Sequence, residues 1–201
     1  MTHSSSKNGK YEQILEAGVK VFAGQGYNGS TISAIARQAG VADGTIYLYF
    51  KNKEDILAQI VQKYTQRFFD TFKSSMGPGV SAVDKLKLLV RLHFEMSQQD
   101  MNTALVYQVE MRRSNRLMKE DIREALKTYH DLVGTIVEEG QQEGTIRHDL
   151  YIGLVKRLIF ASVDEVITTW VLSGGKYELL PLAEPLVDLF LKGISATPPR
   201  E

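Results

Sequence analysis

The segment "VADGTIYLYFKNK", residues 41 to 53, sets two tyrosines and a phenylalanine beside a glycine and two lysines. Phenolic hydroxyls, a bare stretch of backbone and positive charge in so short a span suit a polyanion read at close range. The residues before it carry a matching signal: small Ala36, Gly40 four positions on, apolar Val41 next, and Ile46 five beyond. That is the spacing of two helices meeting at a tight turn, a helix-turn-helix. In such a unit the first residues of the second helix face base edges in the major groove of double-stranded DNA. Here they are Ala42, Asp43, Gly44 and Thr45.

Each residue has a chemical reason to be there. Gly44 lets the backbone approach DNA with no side chain in the way. Tyr47 and Tyr49 lie two apart and cannot share a helical face, so one suits a base or thymine methyl and the other a phosphate. Phe50, four after Ile46, belongs to the core. Lys51 and Lys53 add charge, and Lys53 stands beside the free amides that open the next helix, a phosphate clamp; Thr31 can do the same one helix earlier. Asp43 either caps its helix or accepts from a cytosine amino group, and capping is favoured because Ala42 is a poor cap. Taken singly, such tyrosines are packing residues with a wet hydroxyl and such lysines are solvated. The joint spacing favours DNA.

The whole chain is compatible with that reading. Its 201 residues are 43% apolar, enough for a core in one domain or two. Net charge is zero, yet residues 1–53 hold six Lys/Arg against three Asp/Glu, leaving the remainder acidic by the same margin. There are no cysteines and no run of eighteen apolar residues, and the polar start "MTHSSSKNGK" lacks a secretion signal, so a cytoplasmic protein with no membrane span is expected.

The elements that would position these residues are helices throughout, an all-α fold, because apolar spacings of three and four recur to the end. The first is expected from about Tyr11 to the glycines of "AGQGYNG"; "ISAIARQA" and "ADGTIYLYF" are two short helices; Asn52 caps a long one over 53–75. After the breaker "SSMGPGVSAVD", helices are expected at roughly 82–97, 102–113, 116–143, 149–173 and 182–194. Pro185 places the start of the last just before it. The divisions are 8–54 for DNA binding and 55–196 for effector binding and dimerisation.

With these residues in view, "TISAIARQAGVADGTIYLYFKNKEDIL" closely resembles the DNA-binding signature of TetR-type transcriptional repressors. The resemblance implies an all-helical homodimer on palindromic operator DNA, with an N-terminal reading head and a C-terminal domain that dimerises and binds a small effector. Ala42 departs from the Ser or Thr often found at its position, so no hydroxyl contact is carried over to it. "VEMRRSN" and "IFASVDEVITTWVLSGGKYEL" further resemble the fatty-acid-degradation repressors of that family, which implies release of DNA by long-chain acyl-CoA.

The C-terminal half supports this independently. Segments 149–173 and 182–194 are apolar nearly all round, as for a four-helix interface across a two-fold axis. Leu89, His93, Phe94, Tyr107, Met111, Phe160 and Ile167 can line an apolar channel, although most such stripes are simply core. Arg112 and Arg113 follow Met111, and guanidinium suits phosphate. An apolar tail with a phosphate-rich head is the outline of an acyl-CoA. The competing readings are an efflux regulator sensing amphipathic drugs, whose pocket would want acids rather than arginines, and an acyl-CoA-binding protein that does not touch DNA. An enzyme is not expected: the four histidines lack metal-ligand spacing, no nucleophile motif appears, and neither metal nor cofactor is called for.

Overall fold

A computed structural model describes residues 2–110 and 119–194. Among them the elements are α1 (Thr2–Gly29), α2 (Ile32–Ala39), α3 (Asp43–Ile46), α4 (Lys53–Ser74), α5 (Ala82–Gln99) and α6 (Met101–Leu105), the last continued by a π-helical segment, Val106–Glu110. α7 (Lys119–Gln142), α8 (Ile152–Leu172), a 3-10 turn at Leu180–Leu182 and α9 (Ala183–Ile194) complete them. The described residues fall into two compact units. One takes residues through Thr65 and those within 102–122; the other takes 66–101 and those from 123 onward. At the boundary expected between 54 and 55 the chain is a continuous helix, and α4 belongs in part to each unit.

In the first unit α1 buries Ile14, Leu15, Val21 and Phe22. Gly18 lets it approach α4 closely: a Cβ there would lie 2.9 Å from Ile56 Cγ2 and 3.3 Å from Ile60 Cδ1. α1 starts at Thr2, not near Tyr11, because extension from a formed turn adds one hydrogen bond for each residue fixed. It also continues past the first glycines of "AGQGYNG", with a kink at Gly26. α2 is held at both ends. Thr31 Oγ1 accepts from Ala34 N at 3.1 Å, and Gly40 adopts the left-handed conformation, φ 65°, that a residue with a Cβ resists.

The second unit forms around the later part of α4, with Phe68 and Phe72 buried, and around α5, which packs on α8 and α9. Ser81 caps α5 through Asp84 N, and both carboxylate oxygens of Glu143 accept from Ala82 N, at 3.2 and 3.0 Å. The Gln98 side-chain oxygen accepts from Leu179 N and Leu180 N, and Trp170 Nε1 donates to Tyr177 O at 2.7 Å. These bonds fix the approach to α9, which opens at Ala183 with Pro185 in its first turn, as Pro185 requires. The helix expected over 102–113 is instead α6 and its π-helical continuation, which ends the described part at Glu110.

Candidate functional site

The helix-turn-helix is built as its spacing requires. Ala36, Ile35 and Ile46 are fully buried between α2 and α3, and Val41 N closes the turn on Ala36 O at 3.0 Å. α3 is shorter than expected. It ends at Ile46, and tight turns carry Tyr47, Leu48 and Tyr49 to Phe50, whose ring stacks on Tyr11 with centroids 5.1 Å apart. That buried ring anchors the turn and leaves Tyr47 60% and Leu48 78% exposed. Tyr49 is half-buried. Leu48, two residues from both Ile46 and Phe50, was not among the expected contacts, although its register between two core residues points it away from the core.

Gly44 is exposed, and a Cβ placed on it would meet nothing within 4 Å. The chain's own packing therefore does not demand a glycine there. Ala42 and Asp43 are also exposed, Thr45 is half-buried, and Lys51 extends into solvent.

One expected role is corrected. Asp43 does not cap α3: the cap position is Ala42, which has no side-chain bond, and Asp43 is the first helical residue. Its carboxylate accepts the Ser33 hydroxyl across the turn, locking α2 to α3. Lys53, expected as a phosphate clamp, is also engaged within the chain. Its ammonium donates to Tyr27 O at 2.7 Å and Ser30 O at 2.9 Å and lies 4.3 Å from the Tyr27 ring centroid. Two carbonyls at the end of α1 are better partners for a half-buried ammonium than open solvent. Asn52 does cap α4, accepting from Asp55 N at 2.8 Å, while Asp55 accepts from Lys51 N at 2.9 Å. Thr31 remains exposed, its oxygen occupied by the cap of α2.

The expected effector residues separate into groups. Tyr107 lies in the first unit, its ring 4.9 Å from that of Tyr64. Met111, Arg112 and Arg113 lie outside the described residues. Leu89, Phe94 and Ile167 are buried in the second unit. His93 and Phe160 belong to an aromatic cluster that sequence spacing did not assemble, because its other members come from α4 and α7. His93 stacks on Phe68 at 4.0 Å and meets Tyr129 at 5.3 Å; Phe160 meets Tyr129 at 5.5 Å and His130 at 5.3 Å. Burial pushes the His93 imidazole from its usual range down to about 3. His130 is lowered as well, first by burial and then by Lys156 and Arg157. Two open grooves of this unit, of about 330 and 720 Å³, share Leu88 and Arg91 and contain none of the expected residues.

α8 buries Val155, Ile159, Val163, Ile167 and Trp170 on one side. Its other side is open within the chain, with Leu154 52% and Leu158 54% exposed beside exposed Tyr151. No described helix is long and apolar enough to cross a membrane.

Residues 14–60 match the family model of bacterial regulatory proteins, tetR family, and residues 61–193 match that of the YsiA-like protein, C-terminal region. The chain is 42% identical over 188 residues to the fatty acid metabolism regulator protein of Bacillus subtilis (strain 168), covering 94% of this chain and 97% of the relative. It is 26% identical to the HTH-type transcriptional repressor KstR2 of Mycolicibacterium smegmatis, covering 92% and 90%. Among solved structures, it resembles the fatty acid degradation regulator FadR of Bacillus halodurans, with a TM-score of 0.87, 42% identity and coverage of 92% and 95%. It also resembles the transcriptional regulator FadR of Bacillus subtilis in complex with stearoyl-CoA, with a TM-score of 0.86, 42% identity and coverage of 92% and 99%.

Proposed function

The chain belongs to the TetR family of bacterial regulatory proteins, and from that membership we propose that it is a cytoplasmic repressor released from operator DNA by long-chain acyl-CoA. The observation that carries the effector is the relative solved with stearoyl-CoA, similar to this chain over 92% of its length. The relatives favour this reading over an efflux regulator or an acyl-CoA carrier. This reading calls for no catalytic residue, metal or cofactor.

Two copies pair through α8 and α9, covering Leu154, Leu158 and Leu189, all exposed in the single chain. Pairing places two reading heads on a palindromic site, with half-sites about one DNA turn apart or a multiple of that. At each head Ala42, Asp43, Gly44 and Thr45 face base edges, Tyr47, Leu48 and Tyr49 reach the groove and its rim, and Thr31 and Lys51 meet phosphates. The acyl chain lies among Leu89, His93, Phe94, Phe160 and Ile167, all of the second unit, and the phosphates fall to Arg112 and Arg113, which lie outside the described residues. The effector shifts the DNA-binding equilibrium only by its difference in affinity for the two states.

The test is binding to its own upstream DNA at fixed salt, with stearoyl-CoA or stearate added. Release by the CoA ester and not by the acid is expected. Specific DNA binding that ignores both would keep the repressor and discard the effector.

A further inference from the structure

Two imidazoles in the second unit each have a ring nitrogen sealed from solvent with nothing to bond. His93 Nε2 and His130 Nε2 are buried and have no hydrogen-bond partner. Both belong to the cluster in which Tyr129 lies 5.3 Å from His93 and Phe160 lies 5.5 Å from Tyr129 and 5.3 Å from His130. A buried polar atom without a partner loses its water and gains nothing, so natural cores keep few of them. Two in one aromatic cluster could serve a guest that brings a polar acceptor atom into apolar surroundings.

The chemistry of that guest follows from charge. His93 is depressed to about 3, with burial its only cause, so it is neutral at physiological pH. A carboxylate brought beside it would be stripped of water, and no cation contributes to the shift of His93, whereas Lys156 and Arg157 act on His130. A neutral carbonyl asks only for an N–H, which an imidazole protonated on Nε2 supplies.

We propose that His93, seconded by His130, binds the thioester carbonyl of the effector and so makes the protein select acyl-CoA over free fatty acid. This rests on the acyl-CoA reading above. It assigns the selection of the ester to the interior of the second unit, in addition to any reading of the phosphates.

The proposal is tested by comparing binding of stearoyl-CoA with that of the S-octadecyl-CoA thioether, which carries CH2 where the ester has C=O, to the full-length protein. Wild type is expected to favour the ester by about tenfold, the scale of one hydrogen bond. His93→Phe should bring the two ligands within about twofold, since the aromatic stack on Phe68 survives and the donor does not. The carbonyl stretch of bound 13C-labelled thioester should also fall in wild type and not in the variant. Equal binding of both ligands by wild type overturns the proposal and leaves the acyl-CoA reading intact. A preference that survives in both His93→Phe and His130→Phe overturns it too, by placing the carbonyl elsewhere. Binding of neither ligand sinks the acyl-CoA reading, and the proposal with it.

Discussion

The Ser33 hydroxyl donates to the Asp43 carboxylate across the turn, joining α2 to the first residue of α3. The bond is exposed, so its stability contribution is small, but it holds the carboxylate to α2 instead of leaving it free in solvent. Ser33→Ala and Asp43→Ala are each expected to weaken operator binding by about 1 kcal/mol, and the double variant by little more. A double-mutant cycle on operator affinity checks this; losses that add fully would mean the two residues act separately.

Lys53 is expected to act on folding more than on DNA. Lys53→Ala removes two charge-assisted bonds to the end of α1, and should lower stability by about 1 kcal/mol, discounted for its partial exposure. The salt dependence of operator binding should keep its slope. A slope reduced by about 0.9 for each Lys53 removed would instead identify a phosphate contact.

Tyr47 and Leu48 should show the opposite behaviour. Both side chains lie largely outside the fold, so Tyr47→Ala and Leu48→Ala should change unfolding free energy by no more than about 0.5 kcal/mol. Each should cost about 1–3 kcal/mol of operator affinity. Melting curves and titrations of the same preparations decide; unchanged DNA affinity removes the residue from the reading surface.

What the sequence made legible was local. Ala36, Gly40, Val41 and Ile46 lie within eleven residues, and each has a role fixed by size or backbone conformation, so their spacing alone specifies the turn. The role of Asp43 was hidden because its partner, Ser33, is ten residues back on another helix. The intrachain partners of Lys53 are hidden too, because they are main-chain carbonyls, which leave no mark in side-chain pattern. The aromatic cluster failed for a related reason. Helical periodicity places His93 and Phe160 on inward faces, but it cannot say that Phe68 and Tyr129 from two further helices will meet them.

The open side of α8 gives a prediction about assembly. Leu154 and Leu158 are one turn apart, and both are more than half exposed in the single chain. Burying them across a two-fold axis stabilises a pair by roughly 25 cal/mol per Å² of apolar surface. Leu158→Glu would place a charge twice in that interface and is expected to shift the protein to monomer with its helical content retained. Sedimentation with circular dichroism checks both. A variant that remains dimeric would move the interface away from this face.

His93 ties stability to pH in a direction that can be worked out. Its folded value of about 3 lies below the ordinary 6.5 of an unfolded chain. Above that ordinary value both states are neutral and the residue contributes nothing. Between the two values the unfolded chain holds a proton that the folded one refuses, so stability falls as pH falls, by up to about 1.4 kcal/mol per pH unit. Denaturant unfolding of wild type and His93→Phe at pH 7.5 and 5.0 isolates the effect, and the variant should lose about 2 kcal/mol less over that interval. An identical loss in both proteins would show that the imidazole is not held neutral by its burial, and would assign the acid sensitivity to other groups, His130 first among them because it too is lowered.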